Sequence, residues 1–89
     1  MRTLAIELEK RAERDFASLP KDVRKRLYHV FDGLSADAFR PRPGCDIRRL
    51  HGERGLRAVR VGDHRAIYTV VGSSVRFAYF AHRSVAYRG

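Results

Sequence analysis

The sequence contains no tryptophan, one methionine, one cysteine and three prolines among 89 residues, and its acids are about half as numerous as its bases. Each scarcity excludes something. A lone cysteine, Cys45, cannot form an internal disulfide, so the fold must hold by burial, and this usage fits a reducing compartment. No apolar run approaches the ~20 residues of a membrane span, and the opening MRTLAIELEK lacks the apolar core of a signal peptide. A soluble, cytoplasmic protein is expected. His29, His51, His64 and His82 are scattered, with no paired His, Cys or carboxylate spacing, so no metal and no other cofactor is expected.

What is present is positive charge. Nineteen Lys and Arg against ten Asp and Glu give +9, and only Lys10, Lys21 and Lys25 among the cations are lysine. Arginine grips phosphate bidentately and stacks on bases, which points to nucleic acid, although the base composition of a genome also biases arginine usage. Residues 45–89 hold only Asp46, Glu53 and Asp63 as acids, so this half is the candidate polyanion-binding surface. With 44% apolar residues including nine aromatics the chain can bury a core, and its length predicts one domain over residues 1–89.

Hydrophobic spacing divides the chain at a loop. In LPKDVRKRLYHVFDGL, Val23, Leu27, Val30, Phe31 and Leu34 form one stripe of a helix, with Pro20 at its start and Gly33 in its end region. Ala12, Phe16 and Leu19 predict a shorter helix over about 10–18, and Pro20 separates the two into a helical hairpin. Leu4, Ile6 and Leu8 alternate like a strand, but Leu4, Leu8 and Ala12 also fit a helix. SADAFRPRPGC reads as a surface loop.

From Leu56 onward the runs LRAVRV, HRAIYTVV and SVRFAYFAH are β-rich. Gly62-Asp63 and the GSS at 72–74 read as tight turns, which gives an antiparallel three-stranded meander. Helices over one face of that sheet make a two-layer α+β domain with the other face open. Alternation places Val59 and Val61 on one face and Ala58 and Arg60 on the other. Arg65 follows the turn, and Arg83 ends the last strand. Three arginines gathered on a sheet suit a phosphodiester and the charge that develops when it is attacked; taken singly, each also reads as a solvated strand residue.

GLRAVRVGDHRAIYTVV followed by AHRSVAYR resembles the RelE/ParE toxin superfamily, and LPKDVRKRL and IRRLHG extend the resemblance over nearly the whole chain. It implies an opening strand, two helices and an antiparallel sheet. It also implies the toxin of a type II toxin–antitoxin system. RelE-like members are mRNA endonucleases, many acting on codons in the ribosomal A site, in which the ribose 2′-hydroxyl attacks the adjacent phosphate without a metal. By the resemblance, Arg60, Arg65, Arg83 and Tyr87 match functional positions, with Arg65 and Arg83 on the phosphate and Tyr87 stacking on a base or orienting the 2′-hydroxyl. His82 is a candidate acid or base, because imidazole titrates near neutral pH. Arg48, Arg49, Arg57, His64 and Arg88 are candidate RNA contacts.

Two positions depart from the family pattern. Ala58 stands where many of these nucleases carry a second Lys or Arg, and His64 stands where tyrosine is common. ParE-like members share the fold but bind DNA gyrase, and a non-catalytic basic nucleic-acid-binding module is a third reading. The implied partners are mRNA, the ribosome and an acidic antitoxin segment that neutralises the arginines, with Tyr28 a candidate contact.

Overall fold

A computed structural model describes residues 3–50 and 55–83. The elements run β1 (Ala5–Leu8), α1 (Lys10–Ser18), α2 (Lys21–Ala36), β2 (Asp46–Arg49), β3 (Arg57–Val61), β4 (His64–Val71) and β5 (Ser74–His82). The strands form one sheet in the order β1-β5-β4-β3-β2, with β1 parallel to β5 and every other pair antiparallel. This is the expected two-layer α+β arrangement of an opening strand, a helical hairpin and a meander.

The helical stripe read from spacing is the one buried: Val23, Leu27, Val30, Phe31 and Leu34 of α2 face the sheet. Ile47, Val59, Val61, Ala66, Tyr68, Val75, Phe77 and Phe80 meet them from the strands. Removing such side chains from water is what holds a chain without disulfides together, at about 1.5–3 kcal/mol for each large apolar residue. Tyr68 is fully buried, and its hydroxyl donates to the Ala38 carbonyl at 2.8 Å, so the polar end of the ring is satisfied inside the core. Both hairpins are two-residue turns opening on glycine, Gly62 and Gly72, each at φ +59°. Glycine takes that left-handed conformation without steric cost.

The structure adds three features to the sequence reading. The meander has four strands, because Asp46–Arg49 pairs with Arg57–Arg60 as β2; four residues with one apolar position carry too little periodicity to reveal a strand. Gly33 lies in the last turn of α2, which ends at Ala36, and its carbonyl accepts from the Asp37 N–H at the helix end. A Cβ at Gly33 would lie 2.6 Å from the Cys45 sulfur, so the glycine admits the returning loop against the helix. Finally, β5 is not regular. Tyr68 pairs with Phe77 but Ile67 pairs with Tyr79, so Ala78 is an extra residue. The bulge lets Phe77 and Phe80, an odd number of residues apart, both enter the core.

Helix α1 closes the edge that the short β1 leaves uncovered. Beyond Phe77, whose carbonyl accepts from Glu9 N–H at 2.9 Å, the Phe80 N–H donates to the Asp15 carboxylate at 3.1 Å. A side chain thereby caps a strand group that would otherwise invite pairing. No described helix is long and apolar enough to cross a membrane.

Candidate functional site

Strand register arranges the face away from the helices in cross-strand rows, because directly paired residues point the same way. The row nearest the β3–β4 turn reads Asp46, Arg60, Arg65, Ala81, and the next reads Arg48, Ala58, Ile67, Tyr79. Arg83 sits one position beyond the first row. Its N–H donates to the Asp63 carbonyl at 2.6 Å, and its guanidinium lies 3.7 Å from the Asp63 carboxylate. The turn therefore gathers Arg60, Arg65 and Arg83 at one end of one face.

The carboxylates on this face are already engaged. Asp46 meets Arg60 at 3.5 Å and Arg48 at 3.4 Å. Arg48, Arg60, Arg65 and Arg83 together exceed Asp46 and Asp63 by two charges among the described residues. The second row is an apolar floor: Ala58 is 3% exposed and Ile67 fully buried, yet neither belongs to the helix-side cluster. At the far side of that row, the Arg11 guanidinium of α1 lies over the Tyr79 ring, 4.4 Å from its centroid. This cation–π contact draws the helix to the rim of the face.

Other sequence-predicted residues lie elsewhere. Arg49 and Arg57 pair with each other, and Arg57 pairs with the core residue Tyr68, so both belong to the helix-side face. There Arg57 covers the Phe39 ring at 4.7 Å. Arg57 is thus on the opposite face from Ala58. His64 and His82 pair with each other, and His64 pairs with Val61, which puts both imidazoles on the helix side. Their rings meet edge to face at 4.9 Å. Burial, followed by the neighbouring His82, holds the His64 pKa below the ordinary imidazole value despite Asp63 and Asp22 nearby. The structure thus brings His82 to His64 and not to the arginine row. Tyr87 and Arg88 lie outside the described residues.

Two residues near the site were not singled out from the sequence. These are Arg11 and Asp46, and only strand pairing brings Asp46 beside Arg60. Among the described residues no group of three or more His, Cys, Asp or Glu side chains is placed to hold a metal ion.

This fold has solved relatives. The chain is similar to the archaeal RelE of the RelE–RelB complex from Pyrococcus horikoshii OT3, at 27% identity over 94% of this chain and 99% of that one, with a TM-score of 0.78. The RelBE2 toxin–antitoxin complex of Mycobacterium tuberculosis shares the fold at 23% identity, with 94% and 95% of the two chains covered and a TM-score of 0.77. A RelB–RelE complex from Methanococcus jannaschii shares it at 22% identity, with 88% and 91% covered and a TM-score of 0.74. No curated protein sequence matches the chain. The sequence model of the ParE toxin of the type II toxin–antitoxin system parDE matches residues 6–87, nearly the full length, and the chain belongs to that toxin family.

Proposed function

We propose that this toxin is an endoribonuclease that cleaves messenger RNA at the ribosome and is silenced by an acidic antitoxin. The observation that carries the reading is the register of Arg60 opposite Arg65 with Arg83 beside them. Like charges directly opposite in a sheet repel one another, and a bound anion would relieve that repulsion further than Asp46 and Asp63 do. A phosphodiester is such an anion, and its charge increases at the transition state.

In the reaction, the ribose 2′-oxygen bonds to the adjacent phosphorus as its proton leaves, and the bond from phosphorus to the 5′-oxygen breaks. The products are a 2′,3′-cyclic phosphate and a 5′-hydroxyl that has taken up a proton. Arg60 holds the phosphate, while Arg65 and Arg83 stabilise the charge that develops on its oxygens. Tyr87 orients the 2′-hydroxyl or stacks on a base. With the His82 ring turned to His64, the proton transfers fall in this reading to the tail and to solvent. DNA lacks the nucleophile, which makes the substrate RNA.

The partner follows from the same charges. The relatives above were solved as toxin–antitoxin complexes. An acidic segment laid along this face would meet Arg48, Arg60, Arg65 and Arg83.

A second reading is inhibition of DNA gyrase. The match to the ParE family and the buried alanine at position 58 favour it. Mapping RNA 5′ ends in cells expressing the toxin alone, beside a purified gyrase supercoiling assay, separates the two. New ribosome-phased ends that vanish with Arg83→Ala or Tyr87→Ala support the nuclease. Intact mRNA with inhibited gyrase overturns it in favour of the second reading.

A further inference from the structure

We propose that the cleft between α2 and the β2–β3 edge is a second RNA subsite, which takes one nucleoside monophosphate unit of a single strand. This deepens the ribonuclease reading and rests on it for the identity of the polymer. The cleft is a cavity of about 310 Å³, within the size range of small-ligand sites.

Its boundaries follow from the sequence. At one end the absent side chain of Gly33 lets Cys45 close against α2. At the other, the Arg26 guanidinium packs over the β3–β4 turn, where a Cβ on Gly62 would stand 3.0 Å from its Nη1. Val30 and Val61 form an apolar wall between these ends, and Arg26 and His29 line the cleft beside them. Arg26 and His29 are three residues apart, so they project from one ridge of the helix. Neither makes a hydrogen bond or ion pair among the described residues, whereas the one lining carboxylate, Asp46, is shared by Arg48 and Arg60.

An arginine that makes no ion pair, beside an imidazole and an apolar wall, suits a phosphate attached to something flat and weakly polar. Inorganic phosphate would use the arginine and leave the wall exposed. An acidic side chain would leave most of the volume unfilled. A nucleotide uses both, with its phosphate on Arg26 and its base or ribose along Val30 and Val61. Arg60 lines this cleft and also belongs to the arginine row. A strand held on the sheet face can therefore continue round the β2 edge into the cleft.

The test is an amide NMR titration of the full chain with adenosine 5′-monophosphate, with adenosine and inorganic phosphate as separate arms, at physiological ionic strength. The expected result is movement of the Arg26, Gly44, Val61 and Gly62 amides, with the nucleotide binding more tightly than either fragment. Arg26→Gln weakens it about tenfold, as expected for loss of one charge-assisted phosphate contact. His29→Gln weakens it less, and Arg14→Gln, which makes the same charge change on α1, leaves it unaltered. Movement confined to the sheet face overturns the proposal. So does equal affinity for inorganic phosphate, or an Arg26→Gln effect seen with an acidic peptide but not with the nucleotide. An RNA cleavage assay run in parallel keeps the two ideas separate. Cleavage with no binding in the cleft removes this subsite and leaves the ribonuclease; binding in the cleft without cleavage does the reverse.

Discussion

Arg60 and Arg65 face each other directly across the β3–β4 hairpin, two guanidinium groups in cross-strand register, with the Asp46 carboxylate beside Arg60. Function, more than stability, should depend on this pair. Arg65→Gln is expected to lower single-turnover RNA cleavage about 100-fold or more, as for loss of a transition-state donor. The same change should alter folding stability by less than about 1 kcal/mol. A cleavage time course paired with a thermal melt checks both, and a collapse in stability would mean the arginine is structural.

The pairing of His64 with His82 predicts an acid-sensitive fold. Burial depresses the His64 pKa below 6.5, so as pH falls the unfolded chain takes up that proton before the folded one does. The stability contributed by neutral His64 is therefore present above about pH 6.5 and is lost as the solution passes below it. Urea midpoints measured from pH 8 to pH 5, a range spanning the ordinary imidazole value, should fall in the wild type. They should fall less in His64→Tyr, which removes the titrating imidazole. Parallel curves would show that His64 does not couple folding to pH in this range.

Ala58 is buried on the face away from the helices, between Arg48 and Ile67 in register. Ala58→Lys must push its neighbours aside and bring a third cation next to Arg48 and Arg60. A loss of about 1–3 kcal/mol is expected from overpacking, with no gain in cleavage. Chemical denaturation and the RNA assay measure the two effects. A stable variant with raised activity would show instead that the face accommodates and uses a cation at this position.

Gly33 and Cys45 form a steric pair that a double-mutant cycle can read. Gly33→Ala places a methyl 2.6 Å from the Cys45 sulfur and should cost about 1–3 kcal/mol. In a Cys45→Ala background the clash is relieved and the helix propensity of alanine, worth about 1 kcal/mol over glycine, should appear as stabilisation. Additive effects of the two changes would contradict the contact.

Local chemistry made much of the fold legible. The 3.6-residue stripe from Val23 to Leu34 identified α2 and its buried face. Two glycine-led turns located the last three strands, and two-residue alternation put Arg60 on the face away from Val59 and Val61. These signals are periodic and depend only on near neighbours in the chain. Tight turns also preserve register, which is why Arg60 and Arg65 could be associated before their pairing was known.

Tertiary structure alone decided what depends on approach through space. Strand β2 exists because β3 offers an edge to Asp46–Arg49, and that pairing brings Asp46 to Arg60. The bulge at Ala78 restores Phe80 to the core after Phe77, a change of phase that alternation cannot anticipate. Pairing with His64, itself opposite Val61, turns His82 away from the arginines one residue before Arg83. The place of Gly33 near the helix end was legible, but only the packing of the Cys45 loop against it shows why no side chain fits there. The amino-acid order determined which residues could be buried and where the chain could turn; the packing of distant segments determined which charged side chains meet.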